Sequence, residues 1–258
     1  MNGPFAGLDE ADASGPMPSG RGTNNSLPPP RDLFFAGGAM RFAPDRIPEP
    51  SPALFDPATP GLRATPVGVG GRQAAWYVHG PGLDNAVLRQ YRRGGLIARL
   101  SHDHYFWAGA GRTRSFAEFD LMHFMAGRGL PVPRPLAAAY WRSGPVYRAA
   151  LLTECIPQAR ALAKMLEASN PQRVAGAIYA MHEAGVWHAD LNAFNILIDH
   201  TGKVWLIDFD RGRRRTMTSG PRTQNLQRLR RSLVKVAGAA GDRYWLAVNQ
   251  AYTGLMAA

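Results

Sequence analysis

The stretch Val186-Trp-His-Ala-Asp-Leu-Asn-Ala-Phe-Asn-Ile-Leu-Ile-Asp199, followed by Gly202-Lys-Val-Trp-Leu-Ile-Asp-Phe-Asp210, decides how the rest of the chain is read. Two short apolar runs flank a polar turn, the pattern of a tight antiparallel hairpin. If Ile196–Ile198 pairs with Val204–Ile207 across the turn at 199–202, Asn195 and Asp208 come to the same open end. Asp190 lies five residues before Asn195, in the loop that enters the hairpin. Hard oxygen donors beside a carboxylate suit magnesium. One carboxylate can orient an attacking hydroxyl while the other binds a metal that neutralises phosphate charge, which is what phosphoryl transfer asks of a protein.

The spacing matches the kinase catalytic loop His-Arg-Asp-x-x-x-x-Asn followed by Asp-Phe-Gly. Ala189 replaces the Arg and Asp210 the Gly. The Arg normally anchors a phosphorylated activation segment, so its absence argues against a phosphorylation-controlled protein kinase and toward a small-molecule or sugar kinase. Asp190 is therefore the predicted catalytic residue, with Asn195 and Asp208 as metal ligands. His188 reads as a buried hydrogen-bonding support for the loop rather than a zinc ligand.

A kinase also needs a cation on the nucleotide phosphates. The only lysines are Lys164, Lys203 and Lys235, none of them suitably placed. Ala86-Val-Leu-Arg89 occupies the place of the Val-Ala-Ile-Lys strand, so Arg89 is the candidate, with Arg92 and Arg93 as nearby competitors. Glu118 is either the ion-pair partner of that cation or, in Ser115-Phe-Ala-Glu118, half of a capping box. Gly68, Gly70 and Gly71 precede a strand and can offer backbone amides to phosphates, and Leu151–Ile156 stands where an adenine-facing hinge belongs.

Working outward, residues 1–37 are assigned to a disordered arm, rich in Gly, Pro, Ser and Asn up to Pro28-Pro-Pro30, and prolines continue to recur through about Pro66. Strands are predicted at 73–78, 85–91, 96–100, 136–141 and 147–156, with a helix at 115–126. Asn170 and Pro171 open a second helix carrying Val174, Ala177, Ile178 and Met181 on one face. Leu226, Leu229, Leu233 and Val236 mark a third, and 245–255 a last one. The expected class is α+β, a bilobal protein-kinase-like fold. Residues 38–156 form a nucleotide-covering lobe built on a small antiparallel sheet with one helix, and 157–258 a mainly helical catalytic lobe.

With 258 residues, 45% of them apolar, the chain can bury a full core. Its formal charge of +11 calls for an anionic partner without choosing one. The single Cys155 excludes an intrachain disulfide and a cysteine-based zinc site. No basic-then-apolar leader opens the sequence and no apolar run approaches about 18 residues, so neither secretion nor membrane spanning is expected. His102-Asp-His104 has no third ligand in pattern and reads as a solvated loop.

The phrases Val87-Leu-Arg-Gln-Tyr-Arg-Arg-Gly-Gly-Leu96, Thr113-Arg-Ser-Phe-Ala-Glu118, Gly129-Leu-Pro-Val-Pro-Arg-Pro135, Asp190-Leu-Asn-Ala-Phe-Asn195 and Trp205-Leu-Ile-Asp-Phe-Asp-Arg-Gly212 resemble the Kdo (3-deoxy-D-manno-octulosonic acid) kinases of the lipopolysaccharide kinase family, over about residues 38–256. The resemblance implies ATP-dependent phosphorylation of the Kdo 4-hydroxyl on a lipid A precursor, peripherally at the cytoplasmic face of the inner membrane, with Asp190 as the catalytic aspartate. Such an acceptor carries phosphates and a carboxylate, which gives Arg211, Arg213, Arg214 and Arg215, just after Asp208, a role in binding it. The basic third helix would then help dock on anionic membrane. Two other classes remain at this level: a kinase of another acceptor, protein or aminoglycoside, and a non-catalytic basic module for nucleotide or nucleic acid. No obligate protein partner and no nucleic-acid partner are expected, since no recognition helix or base-stacking motif is present.

Overall fold

A computed structural model describes residues 27–67, 75–91 and 104–257. Gly68, Gly70, Gly71, Arg92, Arg93, the strand expected at 96–100 and His102-Asp103 lie outside the described residues.

The first part of the chain builds an antiparallel sheet from β1 (Arg31–Phe35), β2 (Gly38–Phe42), β3 (Arg63–Pro66), β4 (Ala75–Gly80), β5 (Leu83–Gln90), β6 (Tyr105–Phe106), β7 (Pro135–Ser143) and β8 (Val146–Glu154). Their order is β1-β2-β7-β8-β5-β4-β3, with β6 also pairing β8. The helix α1 (Arg114–Ala126) lies between β6 and β7 in sequence. The glycine-containing connection from Pro66 to Ala75 joins neighbouring antiparallel strands.

Alternation decides which residues the sheet buries on which side. Ala138, Tyr140, Tyr147, Ala149 and Leu151 share one core with Phe116, Phe119 and Met122 of α1. Leu136, Ala137, Ala139, Ala150 and Leu152 face a second core with Met40, Ile47, Phe55 and Leu88. The proline-rich stretch is therefore not outside the fold. Ile47 and Phe55, 1% and 3% exposed, cover the second sheet face, each burial contributing roughly 1.5–3 kcal/mol.

This corrects the expected arm, because residues 31–35 pair with β2 from Arg31↔Phe42 to Phe35↔Gly38. Composition misled here: the prolines at 28–30 and from Pro44 onward flank a proline-free hairpin, and proline is tolerated in a sheet-covering loop. Arg41 then ties the hairpin to α1, donating to Asp32 at 2.8 Å and to Asp120 at 2.7 Å.

Beyond Glu154 the chain carries β9 (Arg160–Ala161), α2 (Pro171–Glu183), β10 (Val186–Trp187), β11 (Ile196–Ile198), β12 (Val204–Leu206), β13 (Arg213–Arg214) and α3 (Ser219–Ala257). Asn170 caps α2 as expected, its side-chain oxygen accepting from the N–H groups of Gln172 at 2.8 Å and Arg173 at 3.3 Å. Val174, Ala177, Ile178 and Met181 are all buried. The helical run α3 breaks at Ala237 and Gly238, where Gly238 takes φ 54°. Its two halves lie against each other, with Trp245 Nε1 donating to Leu226 O at 3.2 Å and Arg230 Nε to Asp242 at 2.9 Å. Leu226, Leu229 and Leu233 are buried as their spacing predicts, but Val236 is 36% exposed because the break at Ala237 ends the stripe.

Candidate active site

The expected hairpin forms, its second strand ending at Leu206, in the register Ile196↔Leu206, Leu197↔Trp205 and Ile198↔Val204. Its turn is built by Asp199, whose Oδ1 accepts from Thr201 N at 2.9 Å and Lys203 N at 3.0 Å while Oδ2 accepts from Trp205 Nε1 at 2.9 Å. What burial Asp199 has opposes ionisation. The bonds from Thr201, Trp205 and Lys203 outweigh it and hold the carboxyl well below its usual range.

At the open end, Ile207 N donates to Asn195 O at 3.0 Å, so Asn195 and Asp208 are brought together. Asn195 Nδ2 donates to Asp190 O at 2.9 Å, fixing the loop onto the hairpin. Asn192 shapes the loop between them: its Oδ1 accepts from Phe194 N at 2.8 Å and its Nδ2 donates to Asp190 Oδ2 at 3.1 Å. From the other side Arg228 Nη1, on α3, donates to Asp190 Oδ1 at 3.1 Å. Both oxygens of this exposed carboxylate are thereby aimed.

Beneath the loop lies a buried polar chain. His188 is 0% exposed, accepts from Asp190 N through Nδ1 at 3.0 Å and donates from Nε2 to Ile207 O at 3.0 Å. That pattern needs a neutral ring, and burial lowers the His188 pKa accordingly. Asn225 clamps the same residue, with Nδ2 donating to His188 O at 2.7 Å and Oδ1 accepting from His188 N at 3.2 Å. Asn225 Oδ1 also accepts from His182 Nε2 at 3.1 Å, and His182 Nδ1 accepts from the Tyr252 hydroxyl at 2.7 Å. Burial drives the His182 pKa down to about 4.

On the sheet side, Arg89 from β5 meets both Glu118 of α1 and Asp208. The Tyr91 hydroxyl donates to the same Glu118 oxygen. Glu118 is therefore the ion-pair partner and not a cap. Thr113 occupies the N-cap position of α1, and Ser115 instead donates to Ala139 O at 2.9 Å. Burial raises the Glu118 pKa, Arg89 pulls against it, and the nearby Asp208 charge adds to the rise. One guanidinium facing two carboxylates leaves a surplus of negative charge beside Asn195. Asp208 itself sits at φ 61°, an uncommon conformation for a non-glycine residue and one that recurs at functional sites.

Asp210, the departure from Asp-Phe-Gly, has a partner: Arg114 Nε of α1 donates to its Oδ1 at 2.7 Å. A glycine there would leave α1 without this tie to the loop. Phe209 between the two aspartates is wholly buried, its ring 4.6 Å from that of His188.

Arg211, Arg213, Arg214 and Arg215 are all exposed. Arg213 and Arg214 form β13 against β10, with guanidiniums over Trp187 at 5.2 Å and Phe124 at 4.0 Å. Sequence reading missed Arg228, Asn225, Asn192, Tyr91 and the Arg114–Asp210 pair. Only Asn225 left a trace, as a polar residue four before Leu229 and eight before Leu233 in an otherwise apolar row.

A sheet strand that offers a cation, a helix that offers its buried glutamate and a loop–hairpin that offers Asp190, Asn195 and Asp208 define a phosphotransferase of kinase-like build. Residues 61–252 match the lipopolysaccharide kinase (Kdo/WaaP) family, and the chain belongs to it. It is 48% identical over 223 residues to the 3-deoxy-D-manno-octulosonic acid kinase of Xanthomonas axonopodis pv. citri (strain 306), covering 83% of this chain and 89% of that protein. The enzymes of the same description from Xanthomonas campestris pv. campestris (strain B100) and Stenotrophomonas maltophilia (strain R551-3) are 52% and 51% identical over 205 residues, 78% of this chain and 82% of each. The chain is thus a kinase, transferring phosphate to an alcohol group.

Proposed function

We propose that this kinase uses ATP with magnesium to phosphorylate the 4-hydroxyl of Kdo on a Kdo-bearing lipid A precursor. The observation that carries the reading is the joining of Asp190, Asn195 and Asp208 at one hairpin end, with Arg89 bridging Asp208 to Glu118. The names of relatives near half identity over most of the chain supply the acceptor.

Asp190, aimed by Asn192 and Arg228, accepts the proton of the acceptor hydroxyl. The hydroxyl oxygen forms a bond to the γ-phosphorus as the bond to the β–γ bridging oxygen breaks, and ADP leaves with that electron pair. Arg89 is the cation for the phosphates, and its two carboxylate partners hold it in place. Magnesium fits the donor set, since the Asn195 side-chain oxygen and the Asp208 carboxylate are hard ligands in a locally negative site. Bound there, it would neutralise charge on the transferring phosphate. Gly68, Gly70 and Gly71 are the residues proposed to give backbone amides to the nucleotide.

Arg211, Arg213, Arg214 and Arg215 are proposed to hold the phosphates of the glycolipid, and the basic face of α3 to rest on anionic lipid at the cytoplasmic side of the inner membrane. No helix among the described residues is long and apolar enough to cross a membrane. Incubation of the purified protein with Mg-ATP and a Kdo-bearing lipid A precursor is expected to yield the 4-phosphate and ADP in equal amounts. Absence of product, with the protein folded and ATP bound, would remove this acceptor.

A further inference from the structure

A cleft of about 280 Å³ opens against the first half of α3, lined by Trp187, Gln224, Asn225, Gln227, Arg228 and Arg231 among others. Two connections fix it beside the catalytic loop. Trp187 stands three residues before Asp190, and Arg228 on the cleft wall is the residue whose Nη1 lies 3.1 Å from Asp190 Oδ1. Asn225, also in the lining, holds the backbone carbonyl of His188 at 2.7 Å. An occupant of the cleft is therefore one side chain away from the carboxylate that takes the acceptor proton.

The lining has a definite chemistry. The two glutamine amides can each donate and accept, which suits vicinal hydroxyls. An indole offers a flat apolar face to ring C–H groups. Guanidinium matches a carboxylate with paired hydrogen bonds. No carboxylate lines the cleft to repel an anion. Of the two arginines, Arg228 already serves Asp190, whereas Arg231 is exposed and forms no hydrogen bond or ion pair with a described residue. Small-molecule sites typically span roughly 300–1,000 Å³, so this volume accommodates one sugar ring and not a whole glycolipid.

We infer that this cleft is the acceptor subsite and takes a single sugar ring bearing a carboxylate. Arg231 holds the carboxylate and Gln224 and Gln227 the ring hydroxyls, so that the reacting hydroxyl extends past Arg228 to Asp190. The inference rests on the acceptor class proposed above. It also divides the basic residues, leaving the run 211–215 to the phosphates, giving recognition of the sugar to Arg228 and Arg231, and leaving the other basic residues of α3 to the lipid.

The test uses the full chain and free Kdo as probe, beside its methyl ester, with binding read by calorimetry and phosphate transfer from Mg-ATP read separately. Loss of a charge-assisted pair predicts that Arg231→Ala weakens binding of the acid and raises its KM by about tenfold or more, with the nucleotide KM unchanged. Wild-type protein should bind the ester as weakly as Arg231→Ala binds the acid, and the variant should no longer tell acid from ester. Arg231→Lys should recover part of the affinity, and Arg243→Ala, which removes an exposed charge elsewhere on α3, should change nothing. Equal wild-type binding of acid and ester, or an acid KM untouched by Arg231→Ala, overturns the cleft assignment. If the acid binds with this Arg231 dependence but neither it nor the glycolipid is phosphorylated, the cleft stands and the acceptor reading fails. If phosphate is transferred with a KM indifferent to Arg231, the reverse holds. If the acid neither binds nor reacts, both fall.

Discussion

Within residues 186–210 the groups that shape the loop come from the loop itself or from α3 just beneath it: Asn192, Asn195 and His188 inside, Asn225 and Arg228 from below. On the sheet side, Arg89 must find Glu118 29 residues away and Asp208 119 residues away. The loop is held mainly by neutral hydrogen bonds in a buried layer. The bridge is held by charges whose worth depends on the packing of α1 against the sheet. Local hydrogen bonding fixes a shape at little risk, whereas a buried charge bridge is costly whenever one partner is displaced. Catalytic geometry and nucleotide geometry should therefore fail in different ways when perturbed.

The largest effect is expected at Asp190. Its side chain is 55% exposed and its pair with Arg228 lies at the surface, so Asp190→Ala should lower kcat by about 10³-fold while the melting temperature stays within about 2 °C. Turnover and a thermal melt on one preparation check both halves, and a large loss of stability would show the loop to depend on its carboxylate for folding. Glu118→Gln should act on the other side. It keeps the shape but removes the buried anion beside Arg89, leaving the guanidinium only the 38% exposed Asp208, at a cost of about 3 kcal/mol in stability and about a hundredfold in activity, with a raised KM for ATP. A Glu118→Gln enzyme of normal stability would mean that the bridge contributes position alone and that loop and bridge do not differ in what they cost to break.

The smallest effect is a pH dependence confined to the layer under the loop. His182 has a folded pKa of about 4 against an ordinary 6.5, so the unfolded chain binds the extra proton between those values. The associated stability is complete above about pH 6.5 and lost as pH falls toward 4, at most about 3 kcal/mol. His188, lowered in the same direction, adds to it. Urea midpoints at pH 7, 5.5 and 4.5 should fall in that order; a flat series would show that burial of these rings carries no proton linkage.

Much of the site was legible beforehand for a physical reason. Asp190, Asn195 and Asp208 lie within 19 residues, and the alternating apolar runs of β11 and β12 permit one register that buries Ile196, Ile198, Val204 and Leu206 together. Arg89 was legible from its strand. Glu118 was not decided, because a capping box and a buried ion pair share the same spacing from Ser115. The edge hairpin at 31–42 was hidden by the proline-rich stretches on either side of it, whose composition is silent on what a proline-free segment between them can pair with.

The sequence alone thus determined the loop, the hairpin and the order of donors along them, because short chain separations leave those groups few ways to miss one another. Only the tertiary structure decided that Glu118 serves Arg89, that Asn225 and Arg228 hold the loop from α3, and that Arg114 reaches Asp210 across 96 residues. Those pairings depend on which faces the two cores press together, and no local spacing encodes the meeting of side chains whose distance is set by packing.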